Sequence, residues 1–237
     1  MRLKILTAVL LTCGVSTMHA AADPNAQELL KTAVEQANLF SGQAAPYQLD
    51  VDFTIQVTAP VKGHLELKWA GKDRWWRRID VAGFRQIDIR DGSKLYTNRN
   101  AGYTPAGVRE LINMLEFTQA NQSREMAVKD GRHCHKEHQK AYCVQGTLPI
   151  TGSEMHEMCV GVNTNEILSD NWKESPGEQR SEEFSNYTNL GTYRYPRNLA
   201  LSLNGNPIIT ANVTALASTT FDDTLFTTQR ETLASLK

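Results

Sequence analysis

Residues 47–57 read Tyr-Gln-Leu-Asp-Val-Asp-Phe-Thr-Ile-Gln-Val, and their alternation decides the fold class. Leu49, Val51, Phe53, Ile55 and Val57 fall on one side of a strand, and Gln48, Asp50, Asp52, Thr54 and Gln56 on the other, because successive strand side chains point to opposite faces. One face is core and the other meets water. After Ala59-Pro60 the alternation resumes, with Val61, Leu65, Leu67 and Trp69 set against Lys62, His64, Glu66 and Lys68. Adjoining strands with solvated outer faces pair antiparallel, since parallel sheets bury both faces.

Working outward, Gly71-Lys72-Asp73 marks a turn. A third strand follows, with Trp75, Arg77, Ile79 and Val81 on one face and Trp76, Arg78 and Asp80 on the other. Residues 84–90 and 94–98 flank Asp91-Gly92, a dipeptide suited to a tight hairpin. Together these strands form a meander. Upstream, residues 24–41 carry Leu29, Leu30, Ala33, Val34 and Ala37 at helical spacing, with Glu28, Lys31 and Glu35 facing outward and Gly42 as a stop. Downstream, Thr104 is placed to cap a helix with Pro105 at its first position. Val108, Leu111, Ile112 and Leu115 give that helix an apolar stripe, which the open face of the sheet would receive.

Further strands are expected over 126–138, 140–148, 155–162 and 166–172, then a polar loop over 173–181. The chain closes with strands over 183–189, 199–203 and 208–216, the last two joined by the hairpin signal Asn204-Gly205-Asn206. The expected fold is mainly β, of α+β type: a strongly curved antiparallel sheet or incomplete barrel with helices covering its open face.

The N-terminus reads as an export leader. Arg2 and Lys4 precede an apolar stretch from Ile5 to Val15, and Ala20-Ala21-Ala22 offers a cleavage site before Asp23. The apolar stretch is shorter than the roughly 20 residues a membrane helix needs. Leu10-Leu11-Thr12-Cys13 loosely follows a lipoprotein acylation motif, the competing reading. The expected organisation is a leader over 1–22, one β domain over 23–229 and a short tail over 230–237. Loss of Arg2 and Lys4 takes the chain from 25 basic and 26 acidic residues to 23 and 26, a formal charge of −3. That balance supplies no basic footprint for nucleic acid. The mature protein is expected in the periplasm or secreted, and not as an integral membrane protein.

The order of elements resembles the bacterial lipoprotein-sorting superfamily of LolA and LolB. The resemblance runs through Val61-Lys62-Gly63-His64-Leu65-Glu66-Leu67-Lys68-Trp69, Arg74-Trp75-Trp76-Arg77-Arg78-Ile79 and Asp91-Gly92-Ser93-Lys94-Leu95-Tyr96. It continues in Phe184-Ser185-Asn186-Tyr187, Tyr195-Pro196-Arg197-Asn198-Leu199 and Phe221-Asp222-Asp223-Thr224-Leu225-Phe226. The run from Trp69 to Thr97, with Leu111-Ile112-Asn113-Met114-Leu115-Glu116-Phe117, is similar to an extracytoplasmic domain of some TonB-type energy transducers. A TonB C-terminal domain has no counterpart after Phe226. The resemblance implies a concave apolar face that holds acyl chains.

The expected function is therefore an exported carrier for a hydrophobic ligand: an acyl chain, a lipid or a lipoprotein segment. Leu49, Val51, Phe53, Leu65, Leu67, Trp69 and Trp75 are the expected cavity wall. An open cavity there would favour the carrier. A filled interior would favour a non-enzymatic envelope interaction domain with a protein partner. No catalytic constellation is found, since Gly-x-Ser-x-Gly and phosphate-binding glycine patterns are absent, and no cofactor is expected. His133 and His135 share a strand face and are weak metal candidates, because a site needs further ligands, which His156 and Glu157 would supply only if the strands align. Beyond the leader lie three cysteines. Export favours a disulfide, joining Cys134 to either Cys143 or Cys159 and leaving one cysteine over.

Overall fold

The computed structural model describes residues 26–41, 43–136, 138–148, 155–175, 177–222 and 224–227. The leader expected over 1–22, its cleavage point and the tail expected over 230–237 lie outside the described residues.

The first half is the expected meander: α1 (Ala26–Ala37), then β1 (Tyr47–Gln56), β2 (Pro60–Gly71), β3 (Arg74–Val81), β4 (Phe84–Asp91) and β5 (Lys94–Arg99). Helices α2 (Ala106–Leu115) and α3 (Thr118–Gln122) follow. The second half holds β6 (Ala127–Lys136), β7 (Gln139–Thr147), β8 (Met155–Gly161), β9 (Ile167–Ser175), β10 (Glu178–Leu190), β11 (Tyr193–Leu203) and β12 (Asn206–Ser218). All pair antiparallel in one open sheet of order β5-β4-β3-β2-β1-β12-β11-β10-β9-β8-β7-β6.

Three details depart from the sequence reading. The polar loop expected over 173–181 is largely strand, because β9 and β10 extend to Ser175 and Glu178 around a tight turn. Its polarity belongs to solvated strand faces. Strand β11 starts at Tyr193 and includes Pro196, which pairs with Tyr187 of β10. Pairing of β11 with β12 runs from Asn198 onward, so the missing Pro196 N–H falls where β11 has a ladder on one side alone. Finally, α2 begins at Ala106, and the Thr104 hydroxyl donates to Gln86 Oε1 at 2.6 Å instead of capping the helix.

The hairpin signal behaves as read: Asn204 and Gly205 take φ of 50° and 77°, the pair of positive values that a two-residue turn between twisted strands requires. A flat sheet of twelve strands would be about 50 Å wide at ~4.8 Å per strand. Yet residues of β1, β2 and β3 share one core with residues of β7, β8 and β10, so the sheet curls around α1 and α2. Helix α1 buries Leu30, Ala33, Val34 and Ala37 of the expected stripe, together with Ala26. Trp75 and Trp76 do point to opposite faces. Trp75 packs on the main core, and Trp76 joins Ile89 and Phe226 in a small cluster on the other side.

The topology dictates the lid. Strands β5 and β6 are the two opposite edges of the sheet, and only residues 100–126 connect them. That connection must cross the concave face, and α2 and α3 are its crossing.

Gly63 shows how tightly the inner face is fitted. It lies opposite Phe53, and a Cβ there would come within 2.3 Å of the Phe53 ring and 2.8 Å of the Asp80 carbonyl. Gly63→Val is expected to destabilise the fold by about 1–3 kcal/mol through overpacking, read as a lower urea midpoint. An unchanged midpoint would show that the ring is not seated on Gly63.

Candidate functional site

The expected cavity wall lies on the inner face of β1 and β2. Leu49, Val51, Phe53, Leu65, Leu67 and Trp69 are all buried there. Over them lie Val108, Leu111, Met114 and Leu115 of α2, which are equally buried. Between Phe40, Leu49, Leu65, Leu67, Ile112 and Leu115 the remaining space is about 10 Å³, at or below what one water needs. The face is apolar and concave, as the resemblance implies, and α2 fills it. Trp75 is half-buried at its margin, with the Arg77 guanidinium 5.2 Å from its ring centre.

Polar ties hold α2 down on both sides. On the β3 side, Arg77 pairs with Glu116 just past the helix end at 3.0 Å and with Asp88 at 2.9 Å. Asp88 is buried and also accepts from Gln86 and Thr97, each at 2.8 Å. On the other side, Arg180 of β10 pairs with Glu110 at 3.3 Å, and the Tyr195 hydroxyl of β11 donates to the Leu115 carbonyl at 2.6 Å. Burial raises the Glu116 carboxyl pKa despite the opposing pull of Arg77.

Two polar atoms under this lid break the pattern. The Tyr47 hydroxyl and Trp69 Nε1 are buried without a hydrogen-bond partner among the described residues. Their rings are stacked, 6.0 Å apart, and Phe40 meets Trp69 edge-on at 5.4 Å. Burial, with smaller effects from Tyr195, Glu116 and Tyr193, holds the Tyr47 pKa well above the usual phenol range. Tyr47 therefore stays a neutral donor. An unmade buried hydrogen bond costs roughly 1–3 kcal/mol, so these donors are groups that an incoming acceptor would satisfy.

A second inner-face cluster has no motif to announce it in the sequence. His156 Nδ1 lies 3.3 Å from Asp170 Oδ1, both groups fully buried, with the imidazole stacked on Trp172 at 5.7 Å. Glu182 stands opposite Asp170 on β10. Burial first, then the charges of Asp170 and Glu110, push the Glu182 carboxyl up to about 8. Strand periodicity carries the signal that finds it: Glu182 is two residues from Phe184 and shares its inward face.

The remaining candidates lie elsewhere. His133 and His135 are exposed on β6, and His133 contacts Tyr142 edge-on at 5.0 Å. Among the described residues the clustered metal-type ligands are Cys134, Cys143 and Cys159, and neither histidine belongs to them. Cys143 lies within disulfide reach of both Cys134 and Cys159, at Cα separations of 6.5 and 4.0 Å. Open space is found instead on the solvent side of β1, β12, β11 and β10. A groove of about 700 Å³ there is lined by Asp52, Lys62, Glu183, Asn198 and Asn212, among others. Phe53, Leu199 and Ala211 also line it, so it mixes polar and apolar groups, unlike the apolar face beneath α2.

No protein-family model matches the chain, and no curated protein matches it. Solved structures do. A LolA superfamily protein from Nitrosomonas europaea is 12% identical, with TM-score 0.55 over 83% of this chain and 96% of its own. A domain from Vibrio parahaemolyticus, described as a putative outer-membrane lipoprotein-sorting protein, is 10% identical, with TM-score 0.53 over 87% and 97%. A DUF1329 family protein from Desulfovibrio piger is 10% identical, with TM-score 0.56 over 87% and 98%. Identities this low speak to fold alone: the chain has a LolA-like fold.

Proposed function

We propose that this protein is a periplasmic carrier for a hydrophobic ligand (an acyl chain, a lipid or a lipoprotein segment), which it binds on the inner face of β1 and β2 by displacing α2. The observation that carries this reading is the pair of unpartnered buried donors, Tyr47 and Trp69, set at the edge of an apolar face. A lipid ester or an acyl amide brings the missing carbonyl acceptor and an alkyl chain together. In the free protein α2 supplies a substitute for the chain and nothing for the donors. Leu49, Val51, Phe53, Leu65, Leu67, Trp69 and Trp75 are the proposed contact surface, and the polar ties of α2 are the closure that the ligand must open. Among the described residues no helix is long and apolar enough to cross a membrane, in keeping with a periplasmic protein.

The test uses one conservative substitution with opposite expected effects. Tyr47→Phe deletes the unpartnered hydroxyl. It should stabilise the free protein by about 1 kcal/mol and weaken binding of a fluorescent long-chain acyl ester by roughly tenfold, the equivalent of one lost hydrogen bond. Native mass spectrometry of protein purified from its own envelope should show a co-purified lipid. Absence of both lipid and acyl-ester binding would sink the carrier reading.

The 10 Å³ left beneath α2 favours a second reading. On it, the interior is filled permanently and the protein is an envelope interaction domain, related by sequence resemblance to TonB-type systems. That reading expects Tyr47→Phe to stabilise the fold with no binding to lose.

A further inference from the structure

Cys134, Cys143 and Cys159 lie on three neighbouring strands, β6, β7 and β8. Cys143 and Cys159 are direct cross-strand partners with Cα atoms 4.0 Å apart. Cys134 is opposite Ala141, two positions along β7, and its Cα is 6.5 Å from that of Cys143. Both separations are under the ~7 Å beyond which a disulfide needs backbone movement. The three sulfurs lie within 4.8 Å of one another. The central and inner members are buried, while Cys134 is partly exposed next to the hairpin. Arg132 faces Cys143 across the strand pair and is held by Glu157 at 2.6 Å.

We propose that these residues form a thiol–disulfide exchange site, in which Cys143 alternates between two partners and Cys134 is the entry thiol for an external disulfide. The arrangement separates access from burial. In the reduced cluster, the Cys134 thiolate attacks a small-molecule or protein disulfide, forming a mixed disulfide and releasing one external thiol. Cys143 then attacks Cys134 Sγ, forms Cys134–Cys143 and releases the second external thiol. Cys159 attacks Cys143 Sγ in turn, forming Cys143–Cys159 and returning the Cys134 thiolate to the surface. One external disulfide is reduced to two thiols, and one protein dithiol is oxidised. The last step is an isomerisation with no net redox change. The site passes an oxidation inward from an accessible cysteine to a buried pair and ends with a reactive thiol outside, available to a thiol-bearing partner.

The exported setting matters here only as a source of disulfide oxidants; the chemistry is independent of lipid binding. The reduced full chain is incubated with oxidised glutathione, quenched by alkylation and mapped by mass spectrometry without reduction. The wild type should show one of Cys134, Cys143 and Cys159 alkylated per chain, and both the Cys134–Cys143 and Cys143–Cys159 linkages. Cys143→Ser should accumulate glutathione on Cys134. Cys159→Ser should stop at Cys134–Cys143. Cys134→Ser should form Cys143–Cys159 at least about tenfold more slowly, because attack must begin at a buried thiol. Near-UV circular dichroism of each variant separates slow exchange from misfolding. Where a variant misfolds, the wild-type linkage map decides by itself. A single wild-type linkage under every redox buffer, a Cys134–Cys159 bond, or three free thiols around a stoichiometric metal would each overturn the proposal.

Discussion

Replacing Glu182 with glutamine is expected to flatten the pH dependence of stability and to stabilise the protein by roughly 4 kcal/mol at pH 8, because each pH unit between the unfolded and folded carboxyl values is worth ~1.36 kcal/mol. Glu182 is buried on the inner face, and its carboxyl is raised from 4.5 to about 8, by burial first and then by Asp170 and Glu110, with Arg180 opposing. The groups facing it are Asp170, the His156 paired to Asp170, Arg180 on its own strand and Glu110 of α2. A carboxyl whose folded pKa is raised keeps its proton in the native state while the unfolded chain has released it. Its effect on stability is therefore neutral below about 4.5, grows steadily unfavourable up to about 8 and is constant above that. Urea unfolding at pH 4, 6 and 8 should show wild-type stability falling across this window and the variant staying level by comparison. Parallel curves for the two proteins would show that Glu182 is ionised in the fold.

Arg77→Met is expected to cost about 3–5 kcal/mol, the range for removing one member of a buried ion pair. The cost arises at Asp88, whose side chain is 3% exposed and loses its cation while staying in place. Gln86 and Thr97 still donate to it, which keeps the loss toward the lower end. The same substitution frees Glu116 and with it one side of α2. Glu116→Gln separates the two effects. It should loosen α2, measured as faster amide exchange over residues 106–115, with stability within about 1 kcal/mol of wild type, because Glu116 is far more exposed than Asp88 and its raised pKa already disfavours the charged form. Equal stability losses for Arg77→Met and Glu116→Gln would contradict the assignment of the main cost to Asp88.

Much of this architecture is legible in the sequence, because side-chain alternation is a local property. Leu49 to Ile55 and Leu65 to Trp69 declare an inner and an outer face without reference to anything distant. The stripe of Val108, Leu111 and Leu115 likewise announces a helix with one face to bury. The stretch 173–181 misleads because polarity there marks strand faces toward water, and composition does not separate those from a loop. Glu182 and Asp170 escape notice for the opposite reason. Carboxylates on a strand are ordinarily solvated, and only their phase relative to Phe184 and Met158 places them inside. The filling of the concave face depends on how far α2 descends onto it, which Tyr195, Arg77 and Arg180 set from strands remote in sequence. The triple cysteine contact needs the β6-β7-β8 register, and two of its members are opposite each other only because Cys143 pairs with Cys159.

The seam between β1 and β12 joins the first of the described strands to the last, through pairs such as Leu49 with Leu216 and Val51 with Val213. A polypeptide synthesised N-terminus first presents β1 to β5 long before β12 arrives. During that interval β1 is an unpaired edge carrying a complete apolar face, the kind of surface on which extended segments aggregate. Neither meander can shut its own core, because α2 needs both halves beneath it. Native assembly therefore waits for the final strand, and the interval between emergence of β1 and docking of β12 is when this protein most needs a holding chaperone. Truncation just before Asn206 should raise aggregation sharply over that of the intact chain, whereas the same loss from an edge such as β6 would leave the seam intact.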